Sequence, residues 1–554
     1  MWAVEESPLK GRTVVAKRKI LAGETVLEES PPACIVSWKY QLAACQNCLC
    51  LIKENQAFAH NSSDPYRYCS EVCLRADAPV HLVEMDCVNR LRKMKGFRSL
   101  ENNESQKERE IEPLRLIIRA AAQKKVDGSS ASSKPERVPL LGKANKWQHL
   151  MGLEAHEGVY VDEDLDYIMD ISRRMEILLK VCGMDVKKEE IVHLIRAIAS
   201  NAHSIKESSS AEADLTVQNE EVIGLGLFPM TSMINHSCQA NCAHYFMTGN
   251  KQSPKVVMRA LKDIEVGEEL CYSYVALFQS TAARRATLLR SYQFECVCPR
   301  CLSNSSEIGA LNGDAVIDRN PPDKRVMVLM QKVNTFLEQG KERELFETLR
   351  SITEAVDGCP PLSADIFYAH NCVLSSSSVM LHGSGSSSPS QTEKDKAWRM
   401  ALVKMNVQCG LLALGAIKTF IEEPMIETAK ILLSMKRSLD IACGTGGGEV
   451  MIRLPLQSNF PSPSPAEALK RLYMATKADL TVFDMSEGGQ DSGNGSSTIG
   501  NAAVEQVLEA ASKGLEPLIE TPDTPTHDAV EMLRDLFARE GQRVLAICRN
   551  LNNV

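Results

Sequence analysis

The chain is 554 residues long, more than one compact core accommodates, and at roughly 100 to 200 residues per domain it implies about three or four units. Its 63 Lys and Arg against 71 Asp and Glu give a formal charge of −8, which excludes a global basic surface that holds nucleic acid by phosphate contacts alone and suits basic partners. Met1 to Arg12 carries Glu5 and Glu6 and lacks the basic start and apolar run of a signal peptide, so secretion is not expected and the 19 cysteines read as metal ligands and buried thiols rather than disulfides.

In chain order, residues 12–38 alternate short β-branched runs with Gly23 and the Pro31–Pro32 pair, a pattern of short strands and turns. A cysteine-rich block, Cys45–Cys87, follows. From about 88 to 205 the apolar spacing is helical, notably over Glu110–Lys124 and Asp164–Cys182, with a polar loop, Lys125–Arg137, between them. Short strands return between Val222 and Tyr274 and lead to a second cysteine cluster at 296–301. The remainder reads as helices at 324–339, 364–380, 396–420, 424–442, 465–477, 502–515 and 526–549, with Gly/Ser-rich linkers at His382–Ser390 and Gly488–Ser497. The most apolar stretches, such as Cys409–Phe420, fall short of the ~20 residues needed to cross a bilayer, and Lys418 interrupts that one. A soluble protein without membrane association is therefore expected.

In the first cysteine block, Cys45-x-x-Cys48 is answered by Cys69-x-x-x-Cys73, then by His81 and Cys87. Two pairs of soft ligands, each a short turn apart, can converge on one tetrahedral Zn²⁺. The block resembles the MYND zinc module, in which two zinc sites interleave. The match is partial, because the family's second Cys pair is replaced by His60 and Ser63, and Met85 stands at the usual spacing from His81. Two readings stay open: a second ion on His60, His81, Cys87 and Asp64, or an ordinary surface His60 and half-buried His81. Two or three structural zinc ions are expected in the whole chain.

Further along stand Gly224-Leu-Gly-Leu-Phe-Pro229, Asn235-His-Ser-Cys238, Gly267-Glu-Glu-Leu-Cys-Tyr272-Ser-Tyr274 and Phe294-Glu-Cys296-Val-Cys298-Pro-Arg-Cys301. Their order and spacing resemble the SET lysine methyltransferases and, with the inserted cysteine block, the SET and MYND domain subfamily, over about residues 10–303. The resemblance implies an α+β fold: a SET-type β-clip of short strands split by a MYND module and a helical insert, then an all-α helical array. The expected divisions are 1–40 (N-terminal SET), 41–90 (MYND), 91–205 (helical insert), 206–290 (SET core), 291–305 (post-SET zinc segment) and 320–554 (TPR-like helices with flexible linkers).

Cys296, Cys298 and Cys301 are a structural zinc site one ligand short, and the family pattern implies Cys238 as the fourth. The resemblance further implies S-adenosylmethionine (SAM) as cofactor, held by Lys10, Gly11, Arg12, Asn201, Asn235, His236, Tyr274 and Phe294. Tyr274 falls where the family has its catalytic hydroxyl. Tyr272 falls where a phenylalanine or tyrosine influences how many methyl groups are added, and a tyrosine there favours lower methylation states.

A competing signal is Leu439-Asp-Ile-Ala-Cys-Gly444-Thr-Gly-Gly-Gly448-Glu449, similar to the SAM loop of Rossmann-type methyltransferases. That loop must follow a buried strand, whereas Glu427–Leu439 reads as a helix, so 444–448 reads as a helix stop and turn. The preferred function is methylation of a lysine on a histone or non-histone protein, with the helical tail roofing the substrate cleft. The alternative is a non-catalytic adaptor that recruits transcriptional partners. A peptide partner on the MYND module, a monomer, and both cytoplasmic and nuclear placement are expected; direct DNA binding is not.

Overall fold

The computed structural model describes residues 1–8, 10–52, 57–60, 64–94, 104–128, 145–156, 162–206, 222–279, 281–302, 324–356, 364–383, 393–420, 426–442, 469 and 529–548. They fall into two compact units, one of the described residues up to Tyr274 together with Arg285–Cys296, the other of Val275–Arg284 and the described residues from Val297 on.

The first unit opens with a hairpin of β1 (Trp2–Ser7) and β2 (Gly11–Ala16), in register Ser7↔Gly11 to Trp2↔Ala16. Gly11 has φ +67°, a left-handed conformation that side chains resist, so the turn itself requires glycine. Strands β3 (Thr25–Glu29) and β4 (Ala33–Val36) follow, and then the chain leaves the sheets. It forms the cysteine block, α1 (Glu71–Arg92), α2 (Glu104–Val126), α3 (Lys146–Met151), α4 (Asp162–Val181) and α5 (Lys188–Asn201). It returns through β5 (Ala202–Lys206) and β6 (Val222–Leu227). The sheet order β4–β6–β5 brings both ends of this excursion onto one sheet. Beyond β6 come β7 (Asn235–His236), β8 (Cys242–Met247), β9 (Lys255–Ala260) and β10 (Cys271–Tyr272), with a second sheet ordered β3–β9–β8. Helices α6 (Thr281–Tyr292) and α7 (Pro299–Leu302) complete this stretch of chain.

The inserted helices pack because their apolar faces close one core containing Leu91, Ile117, Met175, Leu179, Ile191 and Leu194. One polar tie crosses it: the buried Arg119 of α2 meets both Asp77 and Glu84 of α1, the latter at 2.8 Å. Burial pushes the Glu84 carboxyl up to about 7 despite Arg119, so this tie costs desolvation and acts mainly to fix how α1 lies on α2. The helices expected at Glu110–Lys124 and Asp164–Cys182 are α2 and α4, each longer at its start than the spacing indicated.

In the second unit, α8 (Lys324–Glu338), α9 (Glu342–Val356), α10 (Ala364–Gly383), α11 (Glu393–Phe420), α12 (Ile426–Ala442) and α13 (Ala529–Cys548) pack each on the next. Helix α9 was not anticipated, although Leu345, Phe346, Leu349, Ile352 and Val356 form its buried stripe. His382 and Gly383 belong to α10 rather than to a linker; the helices expected at 465–477 and 502–515 and the linker at 488–497 lie outside the described residues, Leu469 excepted. The membrane reading needs correction, since Trp398–Ile417 spans 20 residues at mean hydropathy 1.6 and is long and apolar enough to cross a bilayer. Within α11, however, 89% of that window is buried inside the helical unit, and Asn406 at its middle is fully buried, donating to the Leu374 carbonyl at 2.8 Å and accepting from Ser438 at 2.9 Å. The stretch is a core helix of this unit. The Gly-rich run after residue 442 follows helix α12, not a strand.

Gly224 on the central strand β6 faces the cysteine block so closely that a Cβ would lie 2.4 Å from Leu49 Cδ2 and 2.5 Å from the Ile35 carbonyl oxygen. The glycine is what lets that block lie on the sheet. Gly224→Ala is expected to destabilise the first unit by about 3 kcal/mol through overpacking, read as a lowered thermal midpoint; an unchanged midpoint would show that Leu49 does not press on this strand.

Candidate active site and metal centres

Strand β7 is two residues long and pairs in parallel with β10, in register Cys271↔Asn235 and Tyr272↔His236. Asn241 holds the ladder from beside it: its Oδ1 accepts the Cys271 N–H at 2.8 Å, and its Nδ2 donates to the Glu269 carbonyl at 2.8 Å and Glu268 Oε1 at 3.0 Å. The ladder places the Asn-His pair against the tyrosine segment.

His236 joins two further parts. Its Nδ1 accepts the backbone N–H of Tyr274 at 3.0 Å, which assigns the ring proton of the neutral form to Nε2. That nitrogen faces Cys238 Sγ at 3.3 Å, so the N–H donates to the sulfur. The Tyr274 hydroxyl donates to the Ile234 carbonyl at 2.7 Å. Burial, then the neighbouring Tyr292, pushes its ionisation well above the ordinary phenol range, so it remains a neutral hydroxyl. Its ring centroid lies 4.9 Å from Tyr272, 4.8 Å from Tyr292 and 6.4 Å from Phe294. Phe294, half-buried, also stands 6.1 Å from His236. Tyr272 is buried, and its hydroxyl is 3.1 Å from His203 Nε2.

The remaining candidates gather on one side of the ladder. Asn235 Nδ2 donates to the Arg12 carbonyl at 2.9 Å and to Glu269 Oε1 at 3.0 Å, while Lys10 Nζ meets Glu269 Oε2 at 2.5 Å. No described atom lies within 4 Å of where a Gly11 Cβ would stand. Asn201 is buried, its Nδ2 donating to the Glu154 and Ala197 carbonyls, each at 2.8 Å; it contributes by fixing the end of α5, and its carbonyl receives His203 Nδ1 at 2.9 Å. Glu269, His203 and Tyr292 were not singled out in the sequence. Glu269 sits inside a quoted motif, but nothing in its spacing marks it as the bridge between Lys10 and Asn235.

Two groups of cysteines bring their sulfurs within 4.8 Å of one another: Cys45, Cys48, Cys69 and Cys73, and Cys238, Cys296, Cys298 and Cys301. Individual Sγ separations are 3.6 Å for Cys48–Cys69, 3.6 Å for Cys69–Cys73 and 4.0 Å for Cys238–Cys296. A tetrahedron with Zn–S of about 2.3 Å has edges of roughly 3.8 Å, so both groups fit zinc. In the first, Ser70 caps α1 by accepting the Cys73 N–H at 3.3 Å, which turns Cys73 back toward Cys69.

The second site of the cysteine block needs correction. His60 stacks on His81 at 4.3 Å, and His81 Nε2 meets Asp64 Oδ2 at 2.7 Å, but Cys87 is not with them. His81 and Cys87 share helix α1 six residues apart, which places them about 120° round the axis from each other. Cys87 is buried instead in the core of the inserted helices, beside Cys182. Among the described residues, the close ligand groups are the two four-cysteine sets.

Short strands interrupted by a cysteine-rich module and a helical excursion, with an Asn-His/Tyr ladder tied to a four-cysteine group, define a SET-domain protein. The SET domain family matches residues 11–275. The histone-lysine N-methyltransferase ASHR1 of Arabidopsis thaliana is 24% identical over 57% of this chain and 58% of its own length. The SET domain-containing protein SmydA-8, isoform B, of Drosophila melanogaster is 28% identical over 54% of this chain and 57% of its own. Human histone-lysine N-methyltransferase SMYD3 is 40% identical over 18% of this chain and 22% of its own. The chain thus spans less than two thirds of each of these relatives. Residues 11–275 are a SET domain, and the chain is similar to proteins named for SET and MYND domains.

Two measurements follow from this geometry. Elemental analysis is expected to return two zinc ions per chain, falling to one in Cys238→Ser; a third ion would show that His60, His81 and Asp64 recruit one without Cys87. The second concerns His203, which burial pushes down to about 4. The unfolded chain takes up this proton near ~6.5 and the folded chain only near 4, so the contribution to stability is lost as pH falls through that window, about 3 kcal/mol in all. His203→Phe is expected to flatten the thermal midpoint's dependence on pH between those limits; an equal slope in both proteins would show that the half-buried His203 titrates in the fold as it does in the unfolded chain.

Proposed function

We propose that this chain is a protein-lysine N-methyltransferase that uses SAM and acts on a lysine of a histone or another protein. The observation that carries the reading is the Tyr274 hydroxyl, buried, neutral and committed to the Ile234 carbonyl beside the Asn235–His236 ladder. With its proton spent there, the phenolic oxygen can only accept, and it can draw in an amine N–H or a polarised methyl C–H. SAM, when bound, supplies an electrophilic methyl on a sulfonium.

The residues present suit such a cofactor. Lys10 and Arg12 offer cationic partners for a carboxylate, Asn235 stands between Arg12 and Glu269, and Phe294 presents a half-buried ring suited to an adenine face. The chain's own work is alignment and desolvation. In-line displacement requires amine, methyl and leaving sulfur to be collinear, which a rigid ladder favours. A free lysine amine is only ~0.1% neutral near pH 7; a wall of Tyr272, Tyr274 and Tyr292 disfavours the ammonium form and lowers that pKa. The Tyr272 hydroxyl beside Tyr274 supports the lower methylation states. Relatives named histone-lysine methyltransferases make histones the first substrates to test. A peptide partner on the cysteine block, a monomeric state, the absence of direct DNA binding, and nuclear as well as cytoplasmic placement belong to the same proposal.

Core histones and a lysine-peptide library incubated with SAM, read by mass spectrometry, test it. Tyr274→Phe is expected to lower turnover by about 100-fold while leaving SAM affinity, measured by calorimetry, within about threefold. Full turnover in the variant would remove Tyr274 from the chemistry, and no SAM binding by the parent protein would favour the adaptor reading.

A further inference from the structure

We infer that His203 is a positioning residue that fixes the Tyr272 hydroxyl as an acceptor and thereby limits the number of methyl groups added; the inference rests on the methyltransferase reading above. His203 lies in β5, 69 residues from Tyr272, and is packed edge-on against Phe228 and His244 with ring centroids 5.5 and 6.1 Å away. Its Nδ1 stands 2.9 Å from the carbonyl oxygen of Asn201. A carbonyl accepts only, so Nδ1 carries the proton. In the neutral ring Nε2 is then a bare lone pair, and burial keeps this ring neutral at physiological pH.

The consequence falls on Tyr272. Its hydroxyl is 3.1 Å from that nitrogen, and the two ring planes are nearly parallel, 22° apart, with their centroids 6.5 Å from each other. The hydroxyl has one proton, and His203 takes it. Both oxygen lone pairs therefore remain to accept from whatever lies beside Tyr274, whose ring is 4.9 Å away. An acceptor there holds a water or an amine N–H. Each methyl added to the lysine removes an N–H that such an acceptor could bind, so it favours the less methylated amine and holds it in an orientation that a bulkier product must break. Were the hydroxyl free to rotate, its proton could turn to the amine lone pair and the discrimination would weaken. The chain Asn201 carbonyl → His203 → Tyr272 thus carries a backbone position at the end of α5 into the choice of product.

The test uses the full chain with core histones and the same peptide library, scoring mono-, di- and trimethyl-lysine. His203→Phe keeps the ring and removes the acceptor; it is expected to raise the dimethyl-to-monomethyl ratio about fivefold, the size of one hydrogen bond, with KM little changed. Tyr272→Phe should shift the ratio in the same direction, and adding His203→Phe to it should shift it no further. His203→Gln, whose amide oxygen can reach the same place, should return the ratio toward the parental value. Nitrogen NMR of histidine-labelled protein supplies a readout independent of turnover: the parent should show His203 as the Nδ1–H form, with its Nε2 resonance moved by Tyr272→Phe. An unshifted ratio in His203→Phe, additive effects in the double variant, or the opposite tautomer overturns the inference while the methyltransferase reading stands. A parent that binds SAM but methylates none of these substrates sinks that reading and this inference with it, even if the hydrogen bond is seen by NMR.

Discussion

The contact on which the site depends is the double hydrogen bond of His236, which takes the Tyr274 backbone N–H on one ring nitrogen and gives the other's proton to Cys238. Cys238 belongs to the group it forms with Cys296, Cys298 and Cys301. A thiolate in such a group is a fixed, charged acceptor, and a charge-assisted hydrogen bond to it is stronger than one between neutral partners. The imidazole is thus locked in one tautomer and one orientation by the metal-ligating cysteine, and it passes that orientation to the backbone of Tyr274. Zinc held by this group would do no chemistry on substrate. It would close the long loop between Cys238 and Cys296 and, through His236, help set where a hydroxyl stands.

Around that hydroxyl the same device recurs in neutral form. Tyr274 gives its proton to the Ile234 carbonyl, His203 gives its own to the Asn201 carbonyl, and Tyr272 gives its proton to His203. Each donor is spent on the protein, so each tyrosine oxygen is left as an acceptor. Because both carbonyls belong to main chain at the ends of α5 and β7 or beside them, the arrangement is set by secondary structure, which moves far less than side chains do. Preorganisation here costs little at the moment of reaction because the hydrogen bonds already exist.

Much of this was legible beforehand where chemistry is written in spacing. Cys45-x-x-Cys48 with Cys69 and Cys73, and the triplet 296–298–301 with Cys238, announce tetrahedral groups because a short turn is what brings two sulfurs to one ion, and both groups are present. Cys87 was misjudged for want of a helix: once Glu71–Arg92 is one helix, its phase alone separates Cys87 from His81. Helix α9 was missed although its apolar stripe is regular, because the charged residues on its outer face, such as Glu342, Glu344 and Glu347, dominate the local composition. The apolar window of α11 was begun too late, at Cys409, and its N-terminal half includes the buried Leu402, Val403 and Met405. His203 could not have been found. A lone histidine in Ala-His-Ser-Ile has no ligand spacing, and its role exists only because the fold sets β5 beside a tyrosine that belongs to another sheet, 69 residues along the chain.

The charges near the site explain why the aromatic cluster must be neutral. In the proposed reaction a sulfonium and a lysine ammonium would repel, so the amine would have to arrive or become neutral. A carboxylate within the cluster would defeat this, since an opposite charge close by stabilises the ammonium form. The rings around Tyr272 and Tyr274 are phenols, a phenylalanine ring and imidazoles: Tyr292, Phe294, His203, His236 and His244. The carboxylate closest in sequence, Glu269, is paired, with Lys10 on one oxygen and Asn235 on the other, and its charge adds to what keeps the Tyr274 hydroxyl protonated. That pairing lets one carboxylate organise the Lys10–Arg12 side of the ladder, holding Lys10 and, through Asn235, the Arg12 carbonyl.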